Sequence, residues 1–229
     1  MKISILQGID GAKAAKGLTV IIDVFRAFSL EAYLFDMGAE KIYPIGDADL
    51  AYAMKEKNPD YILAGERGGK IMPGFDLGNS PAQAEELSIL GKTVVHTTSA
   101  GTQGIANATG ADEILGGSLL TAKAIAKYIM NSGAEDVSLV CMGLAGVEET
   151  EEDTLCARYI KSIIEGGEID FEREIDILKK TSGAKFFDPE QSEVFPQKDF
   201  EMCTIVDKFD FVVKLVKDAE IPYTVKLKV

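Results

Sequence analysis

Tryptophan is absent from this sequence of 229 residues, histidine occurs once and cysteine three times. A single histidine excludes a two- or three-His zinc centre within one chain. Cys141, Cys156 and Cys203 form no C-x-x-C pair, so neither a disulfide framework nor a structural zinc site is indicated. Each reads instead as a small buried apolar residue. No apolar run reaches the ~20 residues that span a bilayer, so no membrane partner is expected. The opening MKISILQGID lacks the long apolar region and small-residue cleavage site of a signal peptide, and the expectation is a cytoplasmic protein. Positive charge is scarce: 24 Lys and Arg against 37 Asp and Glu leave a net charge of −13. A surface of that sign repels phosphate backbones, which argues against nucleic acid as a partner.

Several familiar chemistries are missing as well. There is no G-x-x-x-x-G-K-[ST] phosphate loop, no strand–G-x-G-x-x-G–helix fingerprint and no G-x-S-x-G nucleophile elbow. Cys141 lacks an arginine at cysteine-phosphatase spacing, where Val147 stands. Asp23 lacks a second aspartate two residues on, where Phe25 stands.

What is present is an alternation of apolar runs with helix-like segments, the pattern of an α/β protein. Strands are expected at 3–6, 18–25, "KIYPI", "DYILAG", 92–98 and "DVSLVCMG". Helices are expected after Ser29, over "DADLAYAMKEKN", from Ser80-Pro81, near "QGIANAT", over "SLLTAKAIAKYIMNSG" and through "LCARYIKSIIEGG". Ser80, Pro81 and Gln83 make a capping-box start, and Thr150 with Asp153 caps the last of these helices. Patterning weakens from about residue 168, where an acidic helix "FEREIDILKKT" precedes a tail that alternates like an antiparallel strand pair at a sheet edge. The expected architecture is one domain over 1–229, a three-layer α/β/α fold with a mixed, largely parallel central sheet.

Polar, charged or glycine-rich residues gather just past the carboxyl ends of four of these strands. They are Asp23-Val24-Phe25-Arg26, Gly65-Glu66-Arg67-Gly68-Gly69, Thr97 through Thr102, and Gly143 through Glu148. Ligands of open α/β sheets bind outside the carboxyl ends of strands, so parallel neighbours would bring these motifs to one cleft. Asp23 ends an apolar run, where its charge needs a partner, a metal or a capping role. Glu66 and Arg67 are adjacent in a strand and point to opposite faces. Asp76, between glycines, reads equally as a turn residue. The acidic run 148–153 is mostly a solvated helix start, with Glu152 and Asp153 as the members open to further work. Oxygen-rich, imidazole-poor clusters of this kind suit a hard cation such as Mg²⁺. Of only four arginines, Arg26 and Arg67 lie beside strand ends, where a planar fork would hold an anion. "TTSAGTQG" reads either as an oxyanion cradle at a helix start or as a plain Ser/Thr cap. His96, within "VVHTT", reads as a satisfied core residue or, if it reaches the cleft, as a general acid.

"DVFRAFS", "GERGGKIMPGFDLGNSP", "TTSAGTQG" and "EEDTLCA", in that order and spacing, resemble the 2-phosphosulfolactate phosphatase (ComB-like) family over residues 18 to 160. The resemblance implies Mg²⁺-dependent hydrolysis of (R)-2-phospho-3-sulfolactate to sulfolactate and phosphate, on the route to coenzyme M or in sulfolactate production. Its partner would be a small substrate bearing phosphate, sulfonate and carboxylate. The implied roles are Asp23, Glu66 and either Asp76 or Asp153 for the metal, and Arg26 and Arg67 for charge on substrate and transition state. Asn79, Ser80, Thr98, Ser99, Gly101 and Thr102 would contribute to substrate binding. Direct attack by water is expected, with an aspartyl-phosphate on Asp23 as the rival route. A phosphatase of another small phosphorylated hydroxy-acid and a non-catalytic binder of an anionic metabolite are the competing readings. A homodimer is the expected assembly, two-fold dimers being the commonest.

Overall fold

Val20, Ile21 and Ile22 are wholly buried in succession, which requires a strand covered on both faces. In the computed structural model, which describes residues 1–229, that strand is β2 (Gly17–Ile22). It lies inside a ten-stranded sheet with order β1-β8-β2-β7-β9-β10-β3-β6-β4-β5. The other strands are β1 (Lys2–Gln7), β3 (Lys41–Pro44), β4 (Ile62–Arg67), β5 (Lys70–Ile71), β6 (Thr93–Thr97), β7 (Ala111–Gly117), β8 (Asp136–Cys141), β9 (Phe211–Val216) and β10 (Tyr223–Lys228). The helices are α1 (Gly8–Ala14), α2 (Ala27–Asp36), α3 (Ala48–Lys57), α4 (Pro81–Ala84), α5 (Gly101–Asn107), α6 (Ala122–Ser132), α7 (Glu151–Glu165), α8 (Phe171–Leu178) and α9 (Gln197–Cys203).

Side chains alternate across the sheet. Val20, Ile22, Leu139 and Cys141 face a core built with α6, α7 and α9. Ile21, Val140 and Met142 face a second core with α1, α5 and Phe28. The other half of the sheet repeats this, with Ile42, Val94 and Ala64 towards α2 and α4, and Leu63 and Val95 towards α3. Helices therefore cover both faces of a mixed, mostly parallel sheet, which is the three-layer α/β/α arrangement.

The parallel strands fall into two blocks. β1, β8, β2 and β7 form one, with β1 and β8 in register from Lys2↔Asp136 to Gln7↔Cys141. β3, β6 and β4 form the other. Between them sits the antiparallel pair β9–β10, joined to β7 through two residue pairs and to β3 through one. The alternating tail thus lies mid-sheet rather than at the edge. β9 is buried along most of its length because both blocks need a neighbour there. The motif-bearing strands β2 and β8 are parallel neighbours, as are β4 and β6, but the two pairs are not neighbours of each other. The loops that follow the two pairs nonetheless meet: Gly101, after β6, packs against Asp23, after β2.

Local details depart from the sequence pattern for identifiable reasons. β7 was not expected from its residues, ADEILGG, which include only two large apolar side chains. It forms because it docks between β2 and β9, and Phe28 fills the space above Gly116, where a Cβ would lie 2.4 Å from the ring. α2 begins two residues before Ser29. The Asp23 carboxylate captures the Ala27 N–H at 3.0 Å, while the Ser29 hydroxyl turns back to donate to Val24 O at 2.8 Å. Thr150 occupies the N-cap position of α7 but makes no capping bond. Ser80 does cap α4, accepting from Gln83 N at 3.2 Å. All three cysteines are buried and free, and no helix is long and apolar enough to cross a membrane.

Candidate active site

The carboxyl ends of β2, β4, β6 and β8 open onto one cavity of about 450 Å³. Its walls include Asp23, Arg26, Glu66, Asn79, Ser99, Ala100 and Gly143-Leu144-Ala145 from the strand-end loops. Thr150 and Glu152 come from the start of α7, and Thr181, Ser182, Lys185 and Phe195 from the C-terminal third. A second lobe of about 730 Å³ adjoins it, sharing Arg26, Gly68, Gly69, Asn79 and Phe195 and adding Lys70.

Asp23 stands at the end of β2, where Ile22 completes the buried run. Its Oδ1 accepts from Ala27 N and its Oδ2 accepts no hydrogen bond. Burial pushes its carboxyl up to about 6, helped by the charges of Glu66 and Glu152 and opposed by the Ala27 N–H and His96. Gly101 packs against it from the other block: a Cβ there would lie 2.9 Å from Asp23 Oδ2 and 2.7 Å from Ala27 Cβ. Gly101 is therefore a spacing residue behind the acid.

Glu66 is buried and fully engaged. Its Oε1 accepts from Ser99 N at 2.7 Å, and its Oε2 from Gly69 N at 2.7 Å and Ser99 Oγ at 3.2 Å. It thus ties the β4 loop to the β6 loop at the cavity wall. Arg67 alternates to the other side of β4. It is exposed, donating to Thr97 Oγ1 at 3.0 Å and to the carbonyl of Glu66, and it does not line the cavity. The expected paired action of Arg67 with Arg26 on one anion does not match this placement.

Arg26 does line the cavity, but as half of a buried ion pair. One NH donates to Asp199 Oδ2 at 2.6 Å and to Val194 O at 2.9 Å. Its guanidinium lies 4.9 Å from the Phe195 ring centre. Asp199 also accepts from Ser80 Oγ at 2.8 Å and Ala82 N at 2.9 Å. Ser80 is thereby drawn into a structural network and does not face the cavity. Asn79 does, held by His96 Nε2 at 3.1 Å. His96 Nδ1 meets Glu31 Oε1 at 2.9 Å, and Glu31 Oε2 accepts from Thr224 Oγ1 at 3.0 Å. His96 is wholly buried and positions Asn79 from behind; it does not reach the cleft.

Thr98 and Thr102 cap each other. Thr98 N donates to Thr102 Oγ1 at 2.9 Å, and Thr102 N to Thr98 Oγ1 at 3.1 Å. Both are buried and spent within the loop, leaving Ser99 and Ala100 as its cavity-facing members. Asp76 lies outside the cavity. It is 40% exposed, pairs with Lys55 Nζ at 3.1 Å and accepts from Leu63 N at 2.9 Å, as an acid stabilising a chain reversal does. Asp153 is buried behind the wall, where its two oxygens accept from Val24 N and Gly143 N, each at 2.8 Å. It fastens the end of β2 to the end of β8, and burial, with the nearby charges of Glu152 and Asp23, raises its pKa well above its ordinary value. Gly143 takes φ +62°, and a Cβ there would lie 2.0 Å from Glu148 O, so this turn admits only glycine.

The α7 acid that faces the cavity is Glu152, which is 4% exposed and whose pKa burial also raises. Ser182, Thr150 and Lys185 lie near enough to ease its charge, yet Glu152 Oε2, Ser182 Oγ and Thr150 Oγ1 all remain without hydrogen-bond partners. Three contributors had not been foreseen from sequence: Asp199, Lys185 and Ser182. Asp199 had a signal, since it shares a helix face with Met202 and Cys203 at i+3 and i+4, an acid on an apolar stripe. Lys185, in a short 3₁₀ turn, had none.

A mixed α/β sheet whose strand-end loops gather buried carboxylates and cations around one cavity defines an α/β enzyme site for a small anion. Comparison with known proteins makes this particular. The family model described as 2-phosphosulpholactate phosphatase matches residues 3–218. A Bacillus subtilis protein named probable 2-phosphosulfolactate phosphatase is 35% identical over 97% of both chains. Proteins of the same name from Thermotoga petrophila and Caldicellulosiruptor saccharolyticus are 33% and 42% identical. The first match covers 86% of this chain and 88% of the relative, the second 61% and 59%. The chain belongs to the 2-phosphosulpholactate phosphatase family, and with it to the phosphoric monoester hydrolases.

Proposed function

We propose that the protein hydrolyses (R)-2-phospho-3-sulfolactate to sulfolactate and phosphate with Mg²⁺, in the cavity beside Asp23. The observation that carries this reading is a family match across nearly the whole chain, with relatives bearing that name, over a cavity whose buried acids stand beside cations. A substrate carrying phosphate, carboxylate and sulfonate brings roughly four negative charges near neutral pH. Within a chain of net charge −13, such a ligand needs local positive charge.

No three acid, histidine or cysteine side chains are close enough to hold a metal by themselves. That speaks against a cage of Asp23, Glu66 and either Asp76 or Asp153. Mg²⁺, however, is commonly held by one or two carboxylates with waters and substrate phosphate completing the shell. Asp23 and Glu152 fit that pattern, each with an oxygen lacking a hydrogen bond. What Mg²⁺ supplies when bound is neutralisation of phosphoryl charge and a more acidic water. Asp23 is mostly ionised at neutral pH even with burial raising its carboxyl to about 6, and so is available to hold the metal. The water oxygen bonds to phosphorus, the bond to the ester oxygen breaks, and the proton given up by the water passes through solvent to the sulfolactate oxygen that leaves. Arg26 stabilises charge at the wall, and Glu66 holds the β4 and β6 loops together.

The test is phosphate release from 2-phosphosulfolactate with Mg²⁺ and with EDTA. Metal-dependent turnover is expected, and none from folded protein would reject the reading. The configuration at phosphorus separates the two routes: with a phosphoryl group made chiral by oxygen isotopes, inversion supports direct attack, and retention, or borohydride trapping of an acyl phosphate at Asp23, shows a phosphoenzyme.

A further inference from the structure

Part of the cavity wall comes from residues 181–187, a stretch with no role in the reaction outlined above. The 3₁₀ turn Ala184–Phe187 is anchored by Phe186, buried against Phe25 and Phe195 with ring centres at 5.0 and 5.7 Å. This holds Lys185 against the cavity, its Nζ 5.1 Å from the Phe195 ring centre. Arg26, on the same aromatic wall, is compensated by Asp199. Lys185 forms no ion pair, and the acid acting on it most strongly through space, Glu152, does not reach it. Two hydroxyls on the same wall, Ser182 Oγ and Thr150 Oγ1, are buried without partners.

The one acceptor near this ammonium and these two hydroxyls is Glu152, whose charge they ease without a closed hydrogen bond, so the three form a donor set on the cavity wall with capacity for a further acceptor. Leaving the two buried hydroxyls unpaired is costly, and the half-buried ammonium beside them is open to the cavity. Three donors of this kind match the three oxygens of a tetrahedral sulfonate better than the two oxygens of a planar carboxylate. Burial lowers the Lys185 pKa, and a permanently charged anion beside it would reverse that. We infer that Lys185, with the Ser182 and Thr150 hydroxyls, binds the sulfonate at the non-reacting end of the substrate and sets the preference for it over carboxylate-only phosphate esters. This rests on the proposed reaction and adds the specificity determinant to it.

The test compares wild type, Lys185→Met and Ser182→Ala, each checked for folding by circular dichroism, on 2-phosphosulfolactate and 2-phospholactate. Loss of a charged hydrogen bond predicts that Lys185→Met lowers the kcat/KM ratio between the two esters by about 10- to 100-fold, with the loss in KM. Ser182→Ala is expected to lower it by about 3- to 10-fold. An equal fall on both esters would put Lys185 at the phosphoryl group and overturn the inference. Calorimetric titration with sulfolactate needs no turnover. Binding at least about tenfold weaker in Lys185→Met supports the assignment, whereas equal binding, or none in wild type, overturns it. Should wild type hydrolyse neither ester, the proposed reaction fails while this titration still decides the role of Lys185.

Discussion

Replacing Asp23 by Asn should stabilise the metal-free protein above pH 6, although it removes the carboxylate to which the chemistry is assigned. In the folded state burial lifts this carboxyl from its ordinary 3.8 to about 6. The folded protein therefore binds more protons at this site than the unfolded chain between those values, and stability falls as pH rises through that window. At about 1.4 kcal/mol per pKa unit the loss is roughly 3 kcal/mol, an upper figure for a site coupled to other acids. Asn keeps the oxygen that accepts from Ala27 N and carries no charge. Urea unfolding of both proteins in EDTA at pH 4 and pH 8 isolates this contribution. The pH 4 difference absorbs every effect of the substitution except the charge. The variant should gain about 2–3 kcal/mol relative to wild type on going to pH 8. A stability difference that does not change with pH would refute the claim that Asp23 is held ionised at a cost. Saturating Mg²⁺ should raise the wild-type midpoint at pH 8 and leave that of the variant unmoved.

Asp199→Asn should cost about 3–5 kcal/mol in urea unfolding, because Arg26 would remain buried without its counter-ion. Asp76→Asn should cost under about 1 kcal/mol, since its pairing with Lys55 is partly solvated. The same variant should keep the full stabilisation by Mg²⁺, and losing it would return Asp76 to the metal site. Gly116→Ala should lower the unfolding free energy by about 1–3 kcal/mol, as its methyl would meet Phe28 at 2.4 Å. A neutral result there would show that Phe28 has room to move.

The alternation of apolar runs and capped helices was sufficient to identify the α/β class. Four strand-end motifs marked the loops that meet at the cleft, but not the part of its wall that α7 and the C-terminal third supply. Those inferences depend on short-range physics: side-chain period, turn residues, and the cost of an acid at the end of a buried run. Asp23 inside the cavity, Glu66 and Arg67 on opposite sides of β4, and Ser80 at a helix start all follow from a few neighbouring residues. Only the tertiary structure placed the tail strands mid-sheet, because both parallel blocks lacked a neighbour there. It also decided how each charge is used. Arg26 is matched by an acid 173 residues away, and Asp153 closes on a backbone N–H 129 residues away. Lys185, on the same wall, has no acid matched to it. A charged side chain does not encode its partner locally; the partner is whatever the folded topology brings within hydrogen-bonding reach after water has been excluded.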